Sequence, residues 1–309
     1  MSVELPARIQ LREAVTPADG IVEGPRNLRE PQSGPYELFT LRPLGRVIGA
    51  EIDGVDLAEP LTPELRGELN RALLEWKVIF FRDQRITSAQ QRAFAANWGE
   101  LETNPFIPRG DDDAVTRFER TAAMPGYENI WHTDVTWRPN PALGSVLRLI
   151  EVPPAGGDTM WADMAAAYDN LPDDVRARID GLTAVHDYLP GFDRFSDPAL
   201  LAQWQDRFPP VAHPVVRTHP ETGRRTLFVN QAFTTHIVGL DRAESDRLLR
   251  FLFLQAHTPE FQVRFSWRPN SVAFWDNRAA VHYAVRNYGD FPRELHRVLI
   301  ADEPLWSDL

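Results

Sequence analysis

The chain has 309 residues, 43% of them hydrophobic and 25% charged, which suits one large globular domain or two small ones. Its net charge is -11 with no Lys/Arg run, so a nucleic-acid surface is not expected. With no cysteine, disulfides, Cys-zinc sites, iron–sulfur clusters and thiol nucleophiles all drop out, which fits a cytoplasmic protein.

No basic-then-apolar leader opens the sequence, and no apolar run approaches the roughly 18 residues of a membrane span. Residues 1–38, punctuated by Pro6, Pro17, Pro25, Pro31 and Pro35, read as an irregular arm, and residues 39–309 as one folded domain. Gly45, Gly49 and Gly54 break short apolar runs into strands and turns. Thr62-Pro63 starts a helix whose apolar stripe is Leu65, Leu69, Leu73 and Leu74. Residues 78–81 read as a buried strand. Thr87-Ser-Ala-Gln90 is a capping box for a second helix, with Phe94, Ala95 and Trp98 inward and Gly99 as its stop. Residues 102–129 carry Pro105, Pro108, Gly110, Asp111, Asp112, Asp113, Pro125 and Gly126 and read as a lid.

Residues 130–137, Ile-Trp-His-Thr-Asp-Val-Thr-Trp, then read as a strand. Positions two apart on a strand share a face, so His132 and Asp134 project into one space. Beyond it come a strand over 145–152, a turn through Gly156-Gly157 and a return over 158–161. A mainly helical stretch covers 165–182 and an insertion 190–211. Strands follow over 215–217, 226–230, 262–267, 272–275 and 295–302, with a helix over 242–255. Many short strands with Gly/Pro turns predict a mainly β sandwich or jelly roll with flanking helices.

The third partner of His132 and Asp134 is His282, in Trp275-Asp-Asn-Arg-Ala-Ala-Val-His-Tyr. Two His and one carboxylate on one side of an ion leave its other positions open, the ligand set of non-haem Fe(II) oxygenases. Arg293 and Arg297 share a strand face with Leu295, where each guanidinium could grip a carboxylate through a bidentate fork. A jelly-roll binding protein that retains a metal site, and a zinc hydrolase on the same ligands, are the competing readings. His296 faces the other way, and His186, His213, His219, His236 and His257 fall in no ligand pattern; all are expected to be structural.

In order and spacing, Trp131-His-Thr-Asp-Val135, Gly156-Gly-Asp-Thr-Met-Trp161, Phe228-Val-Asn230 with Phe233-Thr-Thr235, Trp275-Asp-Asn-Arg278 with His282-Tyr283, and Arg293-x-x-His-Arg297 resemble the taurine dioxygenase family. This family of Fe(II)/2-oxoglutarate-dependent enzymes also holds alkylsulfatase and 2,4-dichlorophenoxyacetate dioxygenases. The likeness covers roughly residues 40–303. It implies a double-stranded β-helix jelly roll and an enzyme using Fe(II), 2-oxoglutarate and O2, with succinate and CO2 as co-products. It also implies His132, Asp134 and His282 as iron ligands and Thr159 and Arg293 on the distal carboxylate of 2-oxoglutarate. Arg297 would face the anionic end of a small sulfonate, sulfate ester or carboxylate substrate, beside Val135, Tyr188 and Phe233. Asn104 stands where the taurine pattern has a His; it cannot become cationic, which argues against taurine. No nucleic acid or membrane partner is expected, and a homo-oligomer, dimer or tetramer, is the general expectation for such an enzyme.

Overall fold

A computed structural model describes residues 34–102, 115–120, 128–189 and 207–302. The arm up to residue 33, Asn104 with most of the expected lid, and most of the expected insertion lie outside these.

In chain order the elements are β1 Thr40–Pro43, β2 Ala50–Asp53, α1 Pro63–Trp76, β3 Val78–Phe81, α2 Ser88–Ala95, β4 Leu101–Glu102 and β5 Thr116–Arg120. Next come β6 Ala142–Glu151, β7 Thr159–Asp163, α3 Met164–Asp169, α4 Asp173–Ile179, β8 Thr183–His186, β9 Val211–Pro214, β10 Val216–Thr218 and β11 Arg225–Leu227. The chain closes with β12 Thr234–Ile237, α5 Arg242–Leu254, β13 Gln262–Phe265, β14 Val272–Asp276, β15 Ala280–Ala284 and β16 Arg293–Ala301. The major sheet runs β1-β2-β3-β14-β6-β16-β4, with β5 also on β16. A smaller sheet, β13-β7-β15, lies across the core, and β12-β8-β9 and β10-β11 complete the molecule. This is the mainly β jelly roll with flanking helices that the strand pattern predicts.

Strand alternation decides what each face buries. Val78, Phe80, Leu147, Leu149, Ala273 and Trp275 point inward, where they meet Trp161, Val263, Phe265 and Val281 of the smaller sheet. Ile79, Phe81, Val146, Val272, Phe274, Val298 and Ile300 point outward, under Leu69, Leu73 and Trp76 of α1 and Phe94 and Ala95 of α2. Central strands buried on both faces therefore read as continuous apolar runs. Phe80 stacks on Phe265 at 4.0 Å and meets Trp161 edge-on at 5.3 Å, which locks the two sheets together.

Helix α1 starts as its sequence predicts: Thr62 accepts from the Leu65 N–H, and Pro63 opens the first turn. The Thr87–Gln90 capping box at α2 is closed in both directions. That helix ends at Ala95, however, four residues short of Gly99. The expected helical stretch over 165–182 is two short helices, because Pro172 cannot continue the α3 ladder and instead N-caps α4. The strand expected over 226–230 stops at Leu227. The segment around His132 is not a strand: it makes one isolated bridge, His132 to His282, and then turns. Val135 takes a left-handed φ of 49°, which ends any extended run there.

Candidate active site

Three side chains converge where the two sheets meet. His132 and His282 exchange both backbone hydrogen bonds, His132 N–H to His282 O at 3.0 Å and the reverse at 2.7 Å. That pairing brings the imidazole centroids to 4.1 Å. Asp134 enters from the turn beyond the bridge. Ligand atoms of all three lie within 4.8 Å of one another, and all three residues are buried. Asp134 Oδ1 is 3.8 Å from His282 Nε2 and 4.0 Å from His132 Nε2. These spacings are too long for hydrogen bonds and short enough for one ion to bridge.

The protonation pattern fits a cation. His132 Nδ1 donates to the Ile130 carbonyl at 2.8 Å, which orients the ring with Nε2 toward Asp134. Burial, His132 and Arg297 push His282 well below the ordinary imidazole range despite Asp134, which favours its neutral form. Burial alone would raise Asp134, but Arg297, His282, His132 and Ser145 outweigh it and hold the carboxyl at about 2. Ser145 donates to Asp134 Oδ2 at 2.7 Å and Arg297 Nη1 to Oδ1 at 2.7 Å. The Trp275 ring packs 4.9 Å from the His282 ring.

Beside the triad lies a cavity of about 60 Å³, walled among others by Thr159, Trp275, Arg293, Leu295 and Arg297. Arg293, Leu295 and Arg297 share the inward face of β16, as their spacing predicts. Arg293 is 4% exposed, yet its Nε and Nη2 have no partner among the described residues. Burial pushes its guanidinium down from its ordinary value, partly offset by Tyr288 and Glu128. A buried cation with unused donors is a ready receptor for a carboxylate. Thr159 Oγ1 accepts from Trp267 Nε1 at 2.9 Å, so its own proton is free to point elsewhere. The glycine pair ahead of β7 makes room: a Cβ on Gly156 would lie 2.6 Å from the Asn287 carbonyl, and one on Gly157 3.5 Å from Arg293 Nε. Both glycines have positive φ.

Val135, Tyr188 and Phe233 do not wall this cavity. They belong to a separate apolar cluster with Trp137, Ala142, Ala232 and Leu299. The Phe233 ring meets His132 edge-on at 6.4 Å, whereas Tyr188 is fully buried with its ring 6.0 Å from Trp137. His186, His213 and His219 are buried and hydrogen-bonded away from the triad, and His296 bonds Ser88 and Glu294 on the outer face. Sequence reasoning missed Ser145 and Trp267, which hold Asp134 and Thr159; neither carried a local signal. A larger cavity of about 420 Å³ is lined by Lys77, Asp163 and Arg224 and shares no lining residue with the first. Its size does not decide the matter, because Lys77 and Asp163 pair at 3.1 Å and Arg224 and Asp169 at 2.8 Å. Among the described residues no helix is long and apolar enough to cross a membrane.

The family model for taurine catabolism dioxygenases, the TauD/TfdA family, matches residues 40–299. An alpha-ketoglutarate-dependent (2-oxoglutarate-dependent) sulfate ester dioxygenase of Pseudomonas putida is 39% identical over 88% of this chain and 92% of its own. An alkylsulfatase of Acinetobacter baylyi is 36% identical over 87% of each. The crystal structure of a taurine dioxygenase from Burkholderia xenovorans superposes with a TM-score of 0.75 at 39% identity, covering 86% of this chain and 92% of that one.

Proposed function

Since the chain belongs to the TauD/TfdA family and is a 2-oxoglutarate-dependent dioxygenase using Fe(II) and O2, we propose that it oxidises a small organic sulfate ester at the carbon bearing the sulfate oxygen. His132, Asp134 and His282 hold the iron, and Thr159 and Arg293 hold the distal carboxylate of 2-oxoglutarate. One observation carries the assignment of the machinery: the convergent triad lies beside Arg293, a buried cation with two unpartnered N–H groups. Two relatives matched over nearly their full lengths and named for sulfate esters support the substrate class.

Bound at the triad, iron supplies O2 activation coupled to oxidative decarboxylation of 2-oxoglutarate to succinate and CO2. The chain supplies the positioning. Arg293 gives the co-substrate's far carboxylate a bidentate partner and Thr159 adds an O–H donor, so the keto-acid end is directed toward the triad. Ser145 fixes the Asp134 carboxylate. Arg297 leaves its Nε without a partner among the described residues and offers it to the sulfate. The Phe233 side contributes an apolar wall that excludes water from the alkyl group. Hydroxylation of R–CH2–O–SO3⁻ gives R–CH(OH)–O–SO3⁻, which expels hydrogen sulfate and leaves the aldehyde R–CHO. The same reading takes the enzyme as a cytoplasmic homo-oligomer, the common state of such enzymes.

The test is succinate release by anaerobically iron-loaded protein given 2-oxoglutarate and O2, over alkyl sulfates, taurine and other sulfonates, and phenoxyacetates. Alkyl sulfates should stimulate it, with aldehyde and sulfate formed in equal amounts. Stimulation by a sulfonate or phenoxyacetate alone would overturn the substrate class. No succinate from iron-bound protein would overturn the machinery. The zinc-hydrolase reading gives Arg293 no task at this spacing, and succinate release would separate the dioxygenase from a pure-binding protein.

A further inference from the structure

Val135 directly follows Asp134 and sits at φ 49°. A β-branched residue rarely takes this left-handed conformation, and one persists there only where its surroundings over-determine it. The restraints can be named. Before Val135, Thr133 Oγ1 donates to the Ala280 carbonyl at 3.2 Å, and Ser145 holds Asp134. After it, Arg138 N–H closes back on the Val135 carbonyl at 3.0 Å, and His213 Nε2 donates to the Arg138 carbonyl at 2.9 Å.

A further restraint is Thr136, which is 1% exposed. Its hydroxyl accepts from Asn230 Nδ2 at 2.9 Å and lies 3.0 Å from His186 Nδ1. At its other end, Asn230 Oδ1 accepts the backbone N–H groups of Ala232 at 3.2 Å and Phe233 at 2.9 Å. Those two backbone donors fix which end of the amide is oxygen, so the NH2 end must face Thr136. Thr136 accepts there, which leaves its own proton available to His186 Nδ1. His186 then carries its proton on Nε2, beside Thr234 Oγ1 at 3.4 Å. Thr234 Oγ1 in turn accepts the Asn230 backbone N–H at 2.9 Å.

One carboxamide thus bridges two parts of the site. It ties the turn that presents Asp134 to the loop that presents Phe233, whose ring stands against His132. We propose that Asn230 and Thr136 are positioning residues that hold Val135 in its left-handed turn, so that Asp134 and the Phe233 wall move as one body. This rests on the triad being the metal site, as proposed above. The strain at Val135 is what the network opposes, and a chain lacking the Thr136 hydroxyl should relax there and carry Asp134 away from the two imidazoles.

The experiment uses Mn(II), whose binding is read from loss of the free-ion paramagnetic resonance signal without turnover. Metal-free melting temperatures are recorded alongside. Wild type should bind one ion, and Asp134→Ala should lose it. Thr136→Val should weaken Mn(II) binding by about 10- to 100-fold, the range for residues that orient metal ligands. Thr136→Ser should restore it. In the V135G background, where the backbone needs no holding, Thr136→Val should cost only about threefold or less. A Thr136→Val protein that melts earlier but binds Mn(II) as wild type does would overturn the proposal, as would an undiminished effect in the V135G background. Wild type without Mn(II) binding would overturn the triad assignment as well, so the two failures are told apart.

Discussion

Arg297 and Asp134 are joined at 2.7 Å through Asp134 Oδ1, the oxygen that also faces both imidazoles. A guanidinium on a proposed metal ligand does two opposing things. It keeps the carboxylate ionised, and it places a positive charge beside the space a dication would enter. Replacing it with methionine removes the charge and the guanidinium that lies 5.0 Å over the Phe118 ring, while keeping an apolar side chain in its place. Arg297→Met is expected to bind Mn(II) several-fold more tightly than wild type, by metal titration. Its KM for an alkyl sulfate should rise by tenfold or more, since truncating one side of a charge pair costs about 2–5 kcal/mol. Succinate release without substrate should persist. Unchanged KM would remove Arg297 from the substrate's anionic end.

Arg293 lies on the same strand face but, among the described residues, has no carboxylate on its Nε or Nη2. Its unused donors predict a different phenotype. Arg293→Ala should raise the KM for 2-oxoglutarate by at least tenfold, with little change in the KM for the sulfate ester. Thr159→Val removes one neutral donor, worth about 1 kcal/mol, so roughly fivefold is expected. Steady-state kinetics with each substrate varied in turn separates these from the Arg297 effect. A rise in the sulfate-ester KM instead would exchange the two arginine roles.

Much of this was legible in the sequence, for identifiable reasons. Positions 293, 295 and 297 share a face because β16 runs in unbroken register along β5, and Val298 and Ile300 occupy the opposite face as alternation requires. His132 and Asp134 do converge, but by another route than strand alternation: one bridge and a left-handed turn deliver them. No local signal announces that turn, since Val135 carries no glycine's freedom. Its restraints come from 50 and 94 residues away, through His186 and Asn230. Asn230 stood inside a quoted motif, yet its task appears only once Thr136 is placed beside it. β15 went unread because Ala-Val-His-Tyr-Ala shows no apolar–polar alternation, so the Asp276-Asn277 turn ahead of it announced no strand.

The buried histidines behind the turn give the fold a pH dependence. Burial and Arg217 push His213 down to about 4, and burial, His213 and Arg217 push His186 well below its ordinary value. Both are neutral in the fold near neutrality, while an unfolded histidine titrates near 6.5. As pH falls from about 6.5 toward 4, the unfolded chain binds protons that the folded chain refuses, so stability falls with pH in that window. His213 alone should cost about 2 kcal/mol between pH 7.5 and 5.0, at about 1.4 kcal/mol per unit below 6.5. Urea unfolding at the two pH values checks this, and His213→Gln should shrink the difference. An equal pH dependence in the variant would assign it elsewhere.

The turn that brings the chain from β14 to His282 rests on a charged knot. Asp276 accepts from His219 Nε2 at 2.9 Å and from Arg278 through its backbone N–H, Nε and Nη2 at 2.8–2.9 Å. Both Asp276 and Arg278 are buried, at 1% and 5% exposure. Burial alone would raise the Asp276 carboxyl, yet Arg278 and His219 hold it well below the carboxylate range. Its folded pKa being depressed, it stabilises the fold fully above the unfolded value near 4 and loses that contribution as pH falls below it. Asp276→Ala leaves Arg278 buried without its main partner and should destabilise by about 3–5 kcal/mol, read from denaturant midpoints. Asp276→Asn, which keeps the shape and part of the hydrogen bonding, should cost less. Because Trp275 packs on His282, the alanine variant should also bind Mn(II) more weakly at temperatures where it is still folded. Full metal affinity in a folded Asp276→Ala protein would mean that the bridge to His132 alone suffices to place His282.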